Sequence, residues 1–518
     1  VGRLVAQAGK INHPTDDPSL PSFVHPGLKE VTGDLEMVRD CWDLLREAKA
    51  KYLPKEPKEP QRAYQGRVMR SKYPAFYRDG VVGFAGALSR WSLRSAPASF
   101  EAAQDNIDGE GTSLKAFLLL ADALVLRDQG CLLMVDMPKN LPASRGDEKA
   151  LQRRPLLTMA ERSSVLNWRT TKVAGREVPT AVTVREFHEV EVGNFGVEVE
   201  PRYRVMKGGT WQLIRLVAGK GRGKTSWSQE VVDQGVFTGA GNTPLTAPPV
   251  VWYPGAVGGG FGRGLLMLQS LAELSLAWYR KDSDQEELLH RCALPVGVRK
   301  GVPGAMGADG QVRSAPLEIG PNSIVDIPNA DGDFRWEEIS GSSLELREKS
   351  LERLEALMDR QTLAFLMSGA ANDRTATEAI LASAQLTASL AGVAEAKASV
   401  IQSVMALWAE MAGEQLPGDA GLAMEKGLVE KPIDIETLRE TREWFNAMLL
   451  RRGTAVSVFG RAGLLPQGVT AEDEAAGLQE EERAREEKEG ETPDVNDPDG
   501  WDVPGAGPKP GAESSGQQ

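Results

Sequence analysis

Ser342-Ser343-Leu344-Glu345-Leu346-Arg347-Glu348-Lys349-Ser350-Leu351 opens the longest helical pattern in the chain. Its first four residues form an S-x-x-E capping box, in which serine and glutamate satisfy each other's free backbone donors. Apolar residues then recur at Leu351, Leu354, Met358 and Phe365, spacings that keep one helix face apolar. The pattern breaks at Gly369-Ala370-Ala371-Asn372-Asp373-Arg374, which is small, polar and charged. A second capping box, Thr375-Ala376-Thr377-Glu378, restarts a helix that runs through Leu390, Val393, Val400, Val404, Leu407 and Met411 to a stop near Gly413. The spacing predicts two long helices joined by a short loop, the first about 37 Å long at ~1.5 Å per residue.

Working outward, a further helical pattern covers 264–289. Its apolar stripe is Leu268, Leu271, Leu274 and Trp278, and its second half is crowded with charge at Arg280, Lys281, Asp282, Asp284, Glu286 and Glu287. Such a helix passes from a core into solvent or a polar interface. Between it and Ser342, residues 294–337 hold short β-like runs (Leu294 to Val298, Leu317 to Gly320, Ser323 to Ile327, Phe334 to Glu337) separated by Gly, Pro and Asn turns. A small β insert therefore sits between two long helices.

The amino-terminal half is mixed. Val1 to about Gly27 is polar and Pro-rich and reads as a flexible arm. Asp34 to Lys51 reads as a helix with Val38, Trp42 and Leu45 on one face. Pro54 to Pro60 reads as an extended surface linker, and Tyr73 to Trp91 as a packed helix. Asp108-Gly109-Glu110-Gly111-Thr112-Ser113 reads as a turn, not a metal site, because no histidine or third carboxylate stands near. A strongly apolar helix, Leu114 to Leu126, follows, then a strand from Cys131 to Asp136. Alternating runs at 154–159, 181–187, 203–205 and 211–217 indicate an antiparallel sheet with one face on a core. After Gly413 come a loop, a helix from Asp434 to about Arg452 and a charged helix in 466–488. From Gly490 the composition cannot bury enough apolar surface to fold alone. The fold class is α+β.

Composition narrows the function. The 518 residues carry a net charge of -13, which argues against a surface that grips nucleic acid through Lys and Arg. Cys41, Cys131 and Cys292 are sparse and odd in number, which fits free thiols. No apolar run is seen to reach the roughly 18 residues of a membrane span, and no signal-peptide pattern stands at the start, so a soluble, intracellular product is expected. Ala218-Gly219-Lys220-Gly221-Arg222-Gly223-Lys224-Thr225 fits a loose phosphate-loop pattern. The following Ser226 to Val232 reads as a strand, where a phosphate loop needs a helix. The reading preferred is a basic hairpin loop; the alternative is a packaging ATPase or nuclease using Lys224-Thr225. His13, His25, His188 and His290 form no hydrolase motif with a serine or cysteine. No catalytic residue, metal or cofactor is expected.

The order of these pieces resembles the portal, or head-to-tail connector, proteins of tailed bacteriophages, specifically a portal-like family formerly catalogued as a domain of unknown function. The residues carrying the likeness are Asp108 to Leu114 with the helix and strand that follow, Leu271-Ala272-Glu273-Leu274 with Trp278-Tyr279-Arg280, Leu294-Pro295, Glu318-Ile319-Gly320-Pro321, and Thr375-Ala376-Thr377-Glu378. It spans about residues 30–480.

The resemblance implies a division into an amino-terminal arm (1–29), an α/β wing (30–260), a first stem helix (261–290), a clip (291–341), a second stem helix (342–368), a tunnel loop (369–374), a wing helix (375–413), a crown (414–489) and a disordered tail (490–518). It implies a ring, usually of twelve subunits, at one capsid vertex of the virion, assembled in the host cytoplasm. Leu268, Leu271, Leu274, Trp278, Leu351, Leu354 and Met358 would pack the stem. Gly369, Ala370, Ala371, Asn372, Asp373 and Arg374 would face the channel. The implied partners are further copies of the chain, the terminase large subunit, a head-tail adaptor, the major capsid or scaffold protein, and double-stranded DNA passing non-specifically, with no membrane. An acidic chain suits that channel, since tight phosphate binding would act as a brake.

Overall fold

The computed structural model describes residues 13–57, 59–138, 154–173, 175–219, 226–239, 241, 243–255, 260–292, 297–300, 305–306, 312–313, 324–327, 331, 341–362, 376–424, 435–447, 454–456, 458 and 477. Two compact units divide the chain, residues 1–429 and 430–518. In the second unit one helix, Ile435–Asn446, lies within the span expected from Asp434. The expected helix in 466–488 and the tail from 490 lie outside the described residues, Gly477 excepted.

The expectation of a flexible arm does not hold for residues 13–29, which pack; 1–12 lie outside the described residues. Leu20 and Leu28 are buried, and Pro26–Lys29 forms a short helix, α1. His25 stacks on Trp168 with ring centroids 3.9 Å apart, and His13 Nδ1 lies 2.6 Å from the Tyr203 hydroxyl. A polar, Pro-rich composition hides these contacts because each is made to a ring far away in sequence.

The next helix, α2 (Thr32–Trp42), is shorter than its spacing suggests. Leu44 and Leu45 adopt φ of 58° and 51°, a left-handed pair that breaks the helix and drops Leu45 into the core. Leucine pays steric strain there, which full burial of an apolar side chain, ~2 kcal/mol, helps to offset. A short α3 (Lys49–Tyr52) follows. The expected surface linker is only partly that. Glu59 is 5% exposed and pairs with Arg67 at 2.8 Å, pinning the segment to α4 (Gln61–Arg70), a helix the composition did not announce. Then come α5 (Phe76–Leu88), β1 (Trp91–Ser95) and α6 (Ala98–Ala102).

The Asp108 turn is built as expected. Asp108 Oδ1 accepts from the amides of Glu110 and Thr112 at 2.8 and 3.1 Å, and Gly109 and Gly111 take φ of 82° and 96°. The Ser113 hydroxyl caps α7 (Leu114–Asp128) through the Ala116 amide. At its other end Gln129, φ 74°, turns the chain into β2 (Gly130–Asp136). There β3 (Leu156–Glu161) and β9 (Val250–Pro254) flank β2 in an antiparallel sheet of three.

Between β3 and β9 runs an antiparallel meander of five strands, β4 (Val165–Val173), β5 (Arg176–Val192), β6 (Gly196–Lys207), β7 (Thr210–Gly219) and β8 (Ser226–Val236). The alternation of the sequence predicts these strands, though not their length.

The carboxy-terminal part of the first unit begins with α8 (Gln269–Cys292). The insert that follows shows β10 (Gly297–Lys300) paired in parallel with β13 (Ile324–Ile327), and β11 (Ala305–Met306) paired with β12 (Val312–Arg313). Its remaining expected strands lie outside the described residues. Then come α9 (Gly341–Arg360) and α10 (Ala376–Ala412), closed by Gly413 at φ 72° as the spacing predicts. The stretch after Gly413, expected as loop, contains β14 (Gly421–Met424), which pairs antiparallel with β1. One connected apolar core joins Leu35, Val81, Leu118, Leu132, Tyr253, Leu271 and Trp408.

Within α10, Leu390–Ala412 is long and apolar enough to cross a membrane, contrary to the reading that no run reaches that length. Its composition has another cause. Leu390, Val393, Ile401, Val404 and Trp408 are buried in this unit's core, with Trp408 edge-on to Phe100 at 5.0 Å.

Candidate functional site

The feature that stands out is the pair α8 and α9, because it leaves the core at one end and carries the β insert at the other. Its helices run antiparallel. Ser270 Oγ donates to Gln361 Oε1 at 2.9 Å, Trp278 Nε1 to Glu355 Oε1 at 2.9 Å, and Lys281 Nζ to Ser350 Oγ at 2.6 Å. As one residue number rises its partner's falls, which fixes the direction.

At the root the pair is clamped. Leu271 is fully buried, and a Cβ at Gly80 of α5 would come 2.6 Å from Leu271 Cδ2, so a larger residue there would have to move the Leu271 side chain. Ser275 Oγ donates to the Leu271 carbonyl at 2.7 Å and sits 3.4 Å from Met358 Sδ. Trp278 meets Phe76 edge-on at 5.6 Å, and Tyr279 meets Tyr73 likewise at 5.8 Å. Farther along, Ser71 Oγ donates to Ser283 Oγ at 2.7 Å, and Arg70 pairs with Glu287. Polar contacts thus replace apolar ones as α8 leaves the core, which explains its change from leucine to charge.

Most outer positions are exposed and mixed in sign. On α9, Glu345, Arg347, Glu348, Lys349, Glu352 and Arg353 face solvent, as does Leu346 at 68%. On α8, burial and the nearby charges of Glu286 and Glu355 raise the Asp282 carboxyl. Charges of both signs are therefore interspersed along the described part of the pair.

Of the stem residues expected from sequence, Leu268, Leu271 and Met358 lie in this unit's own core, while Leu274, Trp278, Leu351 and Leu354 are half-buried. A change at Leu271 therefore tests folding of one chain before it tests contact between chains. The helix bounds also differ from expectation. α8 starts at Gln269, not near Gly264, which packs against the Gln129 carbonyl with no room for a Cβ. α9 is described to Arg360, after which Gln361 and Thr362 donate three residues back in a tightened turn; the rest of the expected span, 363–368, lies outside the described residues. The proposed channel residues Gly369 to Arg374 lie outside the described residues.

Two chemical alternatives can be placed. Gly219 pairs with Ser226 in the β7–β8 hairpin, so the phosphate-loop-like segment is followed by a strand, not by the helix whose dipole would face phosphate. A cleft of about 300 Å³ lies where β2 and β3 meet β5 and β6, lined by Met134, Met159, Phe187, Met206, Glu186 and Arg204. Asp136, Glu161 and Arg185 also line it. Burial would raise the Glu186 carboxyl, but His188 and Arg204 hold it below its usual value. Among the described residues no group of three His, Cys, Asp or Glu is placed to hold a metal. Cys41 is inert, its thiol pushed up to about 11 by burial.

The helix pair, its insert and α10 coincide with a family match. Residues 267–412 match DUF4055, a domain of unknown function. The DUF4055 segment starts just before α8 and ends at the last residue of α10. Among solved structures, a chain in the virion of a native gene transfer agent particle is 14% identical, with 83% of this chain and 100% of that one covered and a TM-score of 0.33. A chain in the neck of an empty gene transfer agent particle, computed with C6 symmetry, is 15% identical, with 81% and 98% covered and a TM-score of 0.32. At such scores the likeness carries no argument. No curated protein matches the chain.

Proposed function

We propose that this chain is a portal subunit of a tailed-phage particle. Copies form a ring, expected to hold twelve, at one capsid vertex. The ring is a channel for double-stranded DNA during packaging and ejection and a platform for the terminase large subunit and the head-tail adaptor. The chain contributes no catalysis, and a separate ATPase supplies the energy.

One observation carries this reading. The segment matching DUF4055 holds an antiparallel helix pair rooted in the core, a β insert between its two helices, and a helix of 37 residues that packs on β2, β9 and β14. A pair anchored only at its root leaves its sides open to lateral neighbours, and head-to-tail contacts that close would supply them all round. The mixed charge of the outer faces suits a wall past which DNA slides.

Leu346 offers the cleanest test, because its 68% exposure means one chain loses little when it changes. Leu346→Asp should leave the melting temperature within a few degrees of wild type and reduce the ring fraction about tenfold in mass photometry, as a desolvated charge at a helix contact would. Wild-type ring content in this variant would sink the stem assignment.

A further inference from the structure

The longest strand of the meander outruns its neighbours. The β4 ladder along β5 ends at Val165 opposite Val184, and the β7 ladder along β6 ends at Arg202 opposite Arg215. Past these points, among the described residues, β5 and β6 pair only with each other, from Phe187 opposite Pro201 to Val192 opposite Gly196. The ribbon turns through Gly193, φ 65°, Asn194 and Phe195, whose side chain is 100% exposed. A two-stranded ribbon is marginal alone in water, and its two open edges are sites for pairing.

Its side chains sharpen the point. Directly paired residues share a face. One face carries Glu189, Glu191, Val197 and Val199; the other carries Val190, Val192, Glu198 and Glu200. Neither is the uniformly apolar face that a core would select. From Phe187 to Pro201 there are four glutamates and no lysine or arginine. Glu200 pairs with Arg202 and Arg215, whereas Glu189, Glu191 and Glu198 form no ion pair among the described residues.

The opposite end of the same sheet has the complementary chemistry. Arg169, Lys172 and Lys207 are exposed there and form no ion pair among the described residues, beside Val173 at 56% exposure. Glu177, opposite Lys172, is engaged elsewhere, since its Oε2 accepts from the Phe261 amide at 3.0 Å. At ~3.3 Å per residue, β5 sets the two ends about 50 Å apart. They cannot meet within one chain. They can meet between chains, by the head-to-tail operation that closes into a ring.

We infer that the ribbon Phe187 to Pro201 is an intersubunit arm. It docks Phe195 and its glutamates on the Arg169–Val173 and Lys207 edge of a second copy of this chain. The inference deepens the portal reading and rests on it for ring closure. Nucleic acid is a poor occupant, because the arm's carboxylates repel phosphate.

The test is cysteine cross-linking of the full chain. Phe195→Cys and Val173→Cys are combined in a Cys292→Ser background, where Cys41 and Cys131 are buried. Disulfide Cα atoms lie within about 7 Å, so a bond between these two sites must join two chains. Mild oxidation should give a ladder of multimers on non-reducing gels, with each single variant remaining monomeric. A double variant that runs like the single ones overturns the arm. Adding Glu191→Lys and Glu198→Lys should cut the cross-linked fraction about tenfold through like-charge contact; an unchanged ladder overturns the charge pairing. Wild-type rings without a ladder would reject the arm and keep the portal reading. A ladder without rings would keep the arm and reject the portal reading.

Discussion

Lys397→Met is expected to destabilise the first unit by about 3–5 kcal/mol, the usual cost of breaking one half of a buried ion pair. Lys397 and Asp122 are both fully buried, with Nζ 2.6 Å from Asp122 Oδ2 and 2.9 Å from the Leu88 carbonyl it also donates to. The Tyr253 hydroxyl donates to the other carboxylate oxygen at 2.8 Å. Burial already pushes the Asp122 carboxyl up to about 6 against the opposing pull of Lys397. Without the ammonium, Asp122 is left to Tyr253 alone and takes up a proton. The cost therefore comes from the stranded carboxyl more than from the missing lysine. Asp122→Leu combined with Lys397→Met should recover most of the loss, since two apolar groups leave nothing unpaired. Urea unfolding of both variants decides the matter. A single variant within about 1 kcal/mol of wild type would show that the pair carries little.

This pair also sets the position of α10. A helix of small and apolar residues has few features that distinguish one register from the next. Sliding it by one turn, about 5.4 Å, would strand the ammonium in an apolar core. The lysine thus fixes the register in which α10 packs on the core, a specificity role that the double variant would remove while restoring stability.

The second large effect lies where α7 turns into β2. Asp128 is fully buried and held by Arg127 at 2.6 Å and Arg39 at 2.7 Å, and both arginines also meet Glu161, at 3.4 and 3.0 Å. Burial alone would raise the Asp128 carboxyl, but the two guanidinium groups overcome it and hold it down to about 2, against an ordinary 3.8. The sign follows directly. A carboxyl depressed in the folded state contributes stability that is present above about pH 4 and is lost as pH falls towards 2. The amount is roughly 2 kcal/mol at about 1.4 kcal/mol per unit. Asp128→Asn should cost about 3–5 kcal/mol at pH 7, because Arg127 remains buried beside it. It should also flatten the acid limb of the stability profile. Parallel acid limbs in variant and wild type would assign that limb to other carboxylates.

Several parts of this architecture are legible in the sequence, for identifiable reasons. The bounds of α10, Ala376 to Ala412, agree with the sequence signals at Thr375 to Glu378 and at Gly413, which are local. The Asp108 turn is equally local, closed by its own carboxylate and two glycines. The meander is announced by alternation. What escaped notice is tertiary. Two adjacent leucines at positive φ break α2, and no local rule foresees them, since only burial of Leu45 makes the conformation tolerable. The four residues of β14 have no period and form a strand only because β1 offers an edge. The ribbon at Phe187 to Pro201 reads as ordinary strand, because a sequence shows alternation and not the absence of neighbours. Lys397 was the one available clue to the buried pair, a lone lysine in an otherwise apolar face of α10, and its partner is 275 residues away.

The central claim is the ring, and imaging of the purified wild-type chain by negative stain tests it most directly. Class averages viewed down the axis should show closed rings with a central hole, whose rotational symmetry counts the subunits. Single particles the size of one or two chains at every concentration, with no rings, would contradict the portal reading.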